Sequence, residues 1–476
     1  MDIDRIFAGP RVTLADVLEN RSTRAERQQA MLASGCTSLV SISMNIPGDI
    51  KQFPLAHEAF CEGLATLRNI FSEHILKEKI FSFPTGDEAL LALDLAGDWV
   101  KCQTISLEET HPLGRLFDID VLGGDGITLS RSAFALPPRR CFLCGKNAKI
   151  CGRSRTHTIT ELRNKIAELL SNFFRERAAS QCISFASRAM LREVSATPKP
   201  GLVDCANSGS HDDMDLTTFL DSAVALAPWF GKMFLIGWDH ASSSAEELFS
   251  LLQCAGRQAE RAMFAATGGV NTHKGLIYSL GLLCGAFGAK HVYTASQDDL
   301  KQVLALCAAM GHCSLLTSSP ADGSSETFGQ QCRRLYNILG IRGEAAIGFP
   351  SVINVGLPAL RRYLDEGYSL NDASIAALLA LIAAVEDTNM IHRGGLDAAR
   401  AVRIEAQALL PTLTQENCKD ILTQLDRQYI AARLSPGGCA DLLALSLFMS
   451  FWEQSGWRKP STKHILIDDQ QYFTDY

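Results

Sequence analysis

Three groups of residues in this 476-residue chain have types and spacings suited to chemistry. The first lies in residues 195–215, where Asp204, His211, Asp212, Asp213 and Asp215 bring four carboxylates and an imidazole together. Two prolines and two glycines hold this stretch out of regular structure. Acids so close repel one another unless a cation sits among them, and a hard divalent ion that also holds nucleotide phosphates predicts Mg²⁺ with a phosphorylated substrate. Lys199 and His211 stand beside them. The same acids also read as an N-cap and an acidic first turn for the apolar helical pattern that follows.

The second group is Gly114-Arg-Leu-Phe-Asp-Ile-Asp-Val121. On a strand, side chains alternate, so Asp118 and Asp120 emerge on one face and Phe117, Ile119 and Val121 on the other. Two carboxylates aimed at one spot can chelate Mg²⁺ and support in-line attack at phosphorus, as nucleotidyl transfer requires. An edge strand with solvated acids is the alternative. A third carboxylate is expected, yet after Asp125 none comes until Glu161. The third group is Cys141, Cys144, Cys151 and His157, spaced C-x₂-C-x₆-C-x₅-H, which reads equally as a small structural zinc site or as buried thiols. Residues 126–160 hold seven Lys or Arg and no acid. Among these, Arg139, Arg140, Arg153 and Arg155 would clamp a triphosphate or meet the acidic surface of a carrier protein. No aromatic interleaving accompanies them, which argues against nucleic acid.

Further along, Gly268-Gly-Val-Asn-Thr-His-Lys-Gly275 offers glycines, a helix N-terminus and Lys274 as a phosphate cradle, or simply connects two helices. Glu344 sits beside flexible glycines. Asp387, Asn389, His392 and Arg393 follow a very apolar helix, and polar groups there are costly unless they line a site. Asp441, after Ser435-Pro-Gly-Gly438, reads equally as a first-turn acid and as a catalytic one.

The elements that must position these residues differ between the two parts of the chain. Residues 1–178 mix a capped helix at 13–33, a second helix at 55–76, and strands at 40–44, 79–83, 115–122 and 126–130, which predicts an α/β (α+β) domain. From about residue 160 the pattern is helical, with spans at 246–266, 327–339, 374–387 and 439–452 separated by Gly/Pro loops. The expected organisation is multidomain, a nucleotidyltransferase-like α/β domain at 1–178 followed by an all-α domain at 179–476, with the boundary near 178–181. A hydrophobic content of 47% with 20% charged residues describes a globular enzyme and excludes a disordered chain. The longest apolar runs, near 275–288 and 374–385, fall short of the roughly 18 residues that span a bilayer. With fifteen cysteines and no visible signal segment, a cytoplasmic protein with reduced thiols and no membrane partner is expected.

The motifs from Thr197-Pro-Lys-Pro-Gly-Leu-Val-Asp204 through His211-Asp-Asp-Met-Asp215, Asn271-Thr-His-Lys-Gly275, Arg342-Gly-Glu344, Asp387-Thr-Asn389 and Ser435-Pro-Gly-Gly438 resemble the triphosphoribosyl-dephospho-CoA synthase family. Residues 1–178, with Phe117 where many relatives carry Trp, resemble apo-citrate lyase phosphoribosyl-dephospho-CoA transferase. The whole is similar to the bifunctional fusion that makes and attaches the prosthetic group of citrate lyase. The resemblance implies that ATP and 3′-dephospho-CoA are substrates and the citrate lyase acyl carrier protein a partner. It implies that Asp212, Asp213 and Asp215, with Asp204, hold Mg²⁺ on the triphosphate, and that Lys199, His273, Lys274, Asn389, His392 and Arg393 bind substrate. Asp387 or Glu344 would be the base. Asp118 and Asp120 would bind the metal of the second reaction, with Arg115 and the downstream arginines on the leaving group. A related carrier protein of malonate decarboxylase, a metal-dependent nucleotide or ADP-ribose hydrolase, and a zinc-stabilised adaptor without catalysis are the competing readings.

Overall fold

In the computed structural model, which describes residues 6–290, 297–316 and 328–455, the chain parts into two units between Glu176 and Arg177. The first unit opens with α1 (Leu14–Leu32), started by a capping box in which Thr13 and Asp16 satisfy each other's backbone amides. There follow β1 (Ser38–Met44), α2 (Pro54–Phe71), β2 (Ile75–Phe83), β3 (Gly86–Leu93), α3 (Gly97–Thr110), β4 (Phe117–Gly123) and the short α4 (Ala148–Arg153). The strands form one antiparallel sheet in the order β2-β3-β1-β4.

Register fixes the two faces. Ser43 lies between Glu88 and Asp118, Ser41 between Leu90 and Asp120, and Leu39 between Ala92 and Leu122. The apolar end of this face packs under Met31 and Leu32 of α1, and the polar end is left for Asp118 and Asp120. On the opposite face Val40, Ile42, Ala89, Leu91, Phe117, Ile119 and Val121 are buried. Gly63 of α2 admits Phe117 there, since a Cβ at that position would stand 2.9 Å from the ring. The central strand β1 is buried on both faces, not half-buried as its alternation predicts. The strand expected at 126–130 reduces to a bridge between Leu122 and Thr128, because Gly126 turns the chain at φ 80°. Helix α2 also stops at Phe71, where strand β2 soon begins.

The described elements of the second unit are all helical. Helix α5 (Ile159–Ser195) carries the division between units within its length. After it come α6 (Leu216–Asp239), α7 (Ala245–Ala266), α8 (Lys274–Ala289), α9 (Gln297–Leu316), α10 (Phe328–Tyr336), α11 (Gly340–Ala346), α12 (Leu357–Asp365), α13 (Leu370–Ala384), α14 (Thr388–Leu409), α15 (Cys418–Ala431) and α16 (Gly437–Gln454). Position 327 of the expected 327–339 helix lies outside the described residues. The core is drawn from α8, α13 and α16, which are apolar nearly all round, as fully enclosed helices are. Among the described helices, α6 is long and apolar enough to cross a membrane, with a mean hydropathy of 1.4. The run-length reading overlooked it because Asp221 and Lys232 interrupt the pattern. Phe230, Met233 and Phe234 of α6 are buried in the helical core. Helix α14 is broken at Gly395, whose φ of 82° suits glycine alone.

Candidate active sites

In the first unit, Asp118 and Asp120 stand exposed on the same face of the edge strand β4. Burial of its surroundings, and then the charge of Asp118, raise the proton affinity of Asp120. Two carboxylates side by side on one strand face fit a divalent cation. Arg139 approaches Asp118 at 3.7 Å and Glu108 at 3.5 Å, and is fixed by the carbonyl oxygens of Gly114 and Phe117 at 3.2 and 2.8 Å. Glu108 comes from α3, upstream of the strand, whereas the sequence reading sought a third acid only downstream. It is 5% exposed, and burial raises its pKa against the pull of Arg139 and Lys101. Lys101, also from α3 and also buried, donates to the Ile119 carbonyl at 3.2 Å, and its charge acts on Glu108 and Asp120. Neither residue bears a spacing relation to the Asp-x-Asp motif that would have revealed it.

The basic segment divides by use. Arg131 pairs with Glu108 and Glu109, and Arg115 donates to the Arg140 carbonyl. Arg140, Arg153 and Arg155 are exposed and have no carboxylate partner among the described residues, which leaves their charge for an anion. Between them, the ligand atoms of Cys141, Cys144, Cys151 and His157 all lie within 4.8 Å of one another. The Sγ atoms of Cys144 and Cys151 are 3.5 Å apart, too far for a disulfide and close to the roughly 3.8 Å edge of a tetrahedron with Zn–S bonds of about 2.3 Å. His157 Nε2 is buried and has no hydrogen-bond partner among the described residues. A backbone N–H at Lys146, then His157, brings the Cys144 thiol down to about 6, so a ligand-competent thiolate is within reach at neutral pH. The donor set fits zinc.

In the second unit one cavity of about 920 Å³ gathers most of the motifs. Lys199, His211, Asp213, His273, Lys274, Glu344, Asp387, Asn389, His392 and Arg393 line it; Asp204, Asp212 and Asp215 do not. Lys199 is buried and donates to Glu193 Oε1 at 2.5 Å. Glu193, at the end of α5, looks in the sequence like any helix-surface acid. The loop is tied down by hydrogen bonds to distant chain: the Gly201 amide donates to Asp426 at 2.9 Å, and Arg393 donates to the Ser210 carbonyl at 2.9 Å. Arg393 also donates to His211 Nδ1 at 3.0 Å, which places the imidazole proton on Nε2, facing Ser435 Oγ at 3.0 Å. Burial, then Arg393, lower the His211 pKa. His273 is more deeply enclosed: its Nδ1 lies 2.7 Å from Ser222 Oγ, its Nε2 is buried with no partner among the described residues, and burial drives its pKa to about 3. It is therefore a neutral hydrogen-bonding group. Lys274 begins α8, with Glu260 3.5 Å away.

The acids expected to share one cation, Asp204, Asp212, Asp213 and Asp215, are not gathered at one point among the described residues. Asp204 is buried and accepts from the backbone amides of Lys199, Ala206 and Asn207. Asp215 caps α6, accepting from the Thr218 amide and hydroxyl, which lower its pKa. Asp212 faces Arg433 at 3.4 Å in the open, and Asp213 alone reaches the cavity. Both carboxylates expected as bases are likewise engaged. Asp387 caps α14, accepting from the amides of Asn389, Met390 and Cys439 at 2.7, 3.2 and 2.8 Å. Glu344 accepts from the amide and hydroxyl of Ser351.

Residues 179–460 match the family described as ATP:dephospho-CoA triphosphoribosyl transferase, and residues 12–173 match apo-citrate lyase phosphoribosyl-dephospho-CoA transferase. The chain is 38% identical over 457 residues to a protein named CitXG from Haemophilus influenzae, covering 92% of this chain and 96% of that one. It is 35% identical over 471 residues to a CitXG protein from Leuconostoc mesenteroides subsp. cremoris, covering 94% and 99%. A probable 2-(5''-triphosphoribosyl)-3'-dephosphocoenzyme-A synthase from Streptococcus mutans is 40% identical over 281 residues, 56% of this chain and 95% of its own length.

Proposed function

The chain belongs to the family that joins an apo-citrate lyase phosphoribosyl-dephospho-CoA transferase to an ATP:dephospho-CoA triphosphoribosyl transferase, and we propose that it performs the two reactions in succession. It is a bifunctional transferase. It makes 2′-(5″-triphosphoribosyl)-3′-dephospho-CoA from ATP and 3′-dephospho-CoA with release of adenine. It then transfers the phosphoribosyl-dephospho-CoA group to a serine of the citrate lyase acyl carrier protein with release of pyrophosphate.

The observation that carries the first reaction is the helical cavity, large enough for a nucleotide and lined by both cationic side chains and carboxylates. Lys199, Lys274 and Arg393 would bind the triphosphate, with Asn389, His392 and the neutral His273 as hydrogen-bonding partners. Adenine displacement at C1′ passes through positive charge on the sugar, which the carboxylates of this wall would favour. Asp213 is the one acid of the 204–215 stretch at hand for a triphosphate-bound cation.

For the second reaction, Asp118 and Asp120 would hold Mg²⁺, which when bound screens phosphate charge and aligns the oxygens for in-line displacement. Arg139 and Arg115 would orient the innermost phosphate. Arg140, Arg153 and Arg155 would hold the pyrophosphate leaving group or the acidic carrier, and a zinc ion at Cys141, Cys144, Cys151 and His157 would shape the loop that carries them. The decisive measurement is the intact mass of apo-carrier protein after incubation with this chain, ATP, 3′-dephospho-CoA and Mg²⁺. The expected gain is the phosphoribosyl-dephospho-CoA group, with adenine released only when 3′-dephospho-CoA is present. Adenine or phosphate release without that acceptor would instead support the hydrolase reading.

A further inference from the structure

We propose that Asp441 is the general base of the adenine-displacing reaction, a role that rests on the synthase reading of the helical cavity. Six carboxylates line that cavity: Glu193, Asp213, Glu344, Glu386, Asp387 and Asp441. Four are already engaged, and Asp213, with 63% of its side chain exposed, is the acid assigned above to the triphosphate-bound cation. Glu193 holds Lys199 at 2.5 Å, and Glu386 meets Arg403 at 3.4 Å. Glu344 is bonded to Ser351, and Asp387 has spent both oxygens on three backbone amides. Asp441 has neither a hydrogen-bond partner nor an ion-pair partner among the described residues.

Its position suits the task. Helix α16 begins at Gly437 and has no acid in its first turn, so Asp441 is not the first-turn acid its sequence also suggests; it stands in the second turn of this buried helix, against the start of α8, where a Cβ on Gly275 would lie 2.1 Å from its Oδ2. Glycine at that point leaves room for the carboxylate, which lines the cavity and stays partly open to it. Burial, and then the charges of Glu193 and Asp387, raise its proton affinity, the direction a base for a hydroxyl needs.

The step balances without a further reactant. The 2′-hydroxyl of 3′-dephospho-CoA gives its proton to Asp441 and its oxygen bonds to C1′ of the ATP ribose. The C1′–N9 bond breaks, its electron pair leaves with adenine, and adenine ends with the proton that the hydroxyl lost.

The test uses the full chain carrying Asp441→Asn or Asp441→Gly, with adenine release and carrier mass as separate readouts. Asp441→Asn is expected to lower kcat for adenine release at least ~100-fold, with KM for both substrates within about threefold. Transfer to the carrier from intermediate prepared with the wild-type chain should be unchanged. Added formate, a carboxylate small enough for the space left by Asp441→Gly, should restore part of the adenine release. An Asn variant of near wild-type kcat, or a Gly variant of native circular dichroism that formate leaves inactive, overturns the proposal. A wild-type chain that releases no adenine with both substrates present overturns the synthase reading itself, and this role with it.

Discussion

At the residue scale, the same side chain can hold the fold or do chemistry, and hydrogen-bond partners decide which. Asp387 faces a reactive cavity yet serves backbone amides from two separate segments, so its removal strands three donors. Asp387→Ala is expected to cost about 2–4 kcal/mol, read from urea denaturation, and Asp387→Asn less because it keeps an acceptor oxygen. His57 gives a pH signature in the other unit. Asp87, then Cys61, raise its pKa from 6.5 to about 10. The stability it contributes is therefore fully present below about 6.5 and is lost as pH rises through about 10. The difference in urea midpoint between wild type and His57→Gln should shrink across that window. Asp118 and Asp120 were legible because strand alternation fixes their face from spacing alone. Asp204 and Asp215 were not distinguishable from metal ligands, since composition shows charge but not the amides that charge will meet.

At the element scale, the Cys/His segment is six residues of helix and a turn without a core of its own, and it must be held by something besides packing. Cys144→Ser, or dialysis against a strong chelator, is expected to release stoichiometric zinc, followed with a chromophoric chelator, and to suppress carrier modification while adenine release continues. Protein that contains no zinc as purified from metal-supplemented medium would exclude the site. The C-x₂-C-x₆-C-x₅-H spacing was visible in the sequence, but the orphaned His157 Nε2 that favours a metal over buried thiols was not. Strand β3 and helix α3 escaped notice for a different reason. Residues 86–93 read as an apolar run with no clear period, which a doubly buried strand shares with a core helix. Missing α3 meant missing Glu108 and Lys101, which it delivers to the site.

At the scale of the whole molecule, two sites of different chemistry sit in two units of one chain, and their activities should separate. Asp118→Asn is expected to abolish the carrier's mass gain while adenine release continues. Arg393→Ala is expected to lower adenine release about 10–100-fold, since it removes a cation from the triphosphate, and to leave transfer of a supplied intermediate intact. Mixing the two variants should restore carrier modification, followed by intact mass. Failure of the mixture, with each single activity present, would mean that the intermediate does not pass through solution. The helical cavity carries a further consequence for how the protein comes into being. Its wall depends on Gly201 bonding to Asp426 and His211 to Ser435, positions 225 and 224 residues apart. A ribosome adding about 5–20 residues per second must therefore run on for ten seconds or more, by the same rough rate, after the loop emerges. Until then the loop has nothing to tie it down, and the helical cavity is among the last parts of the protein to form.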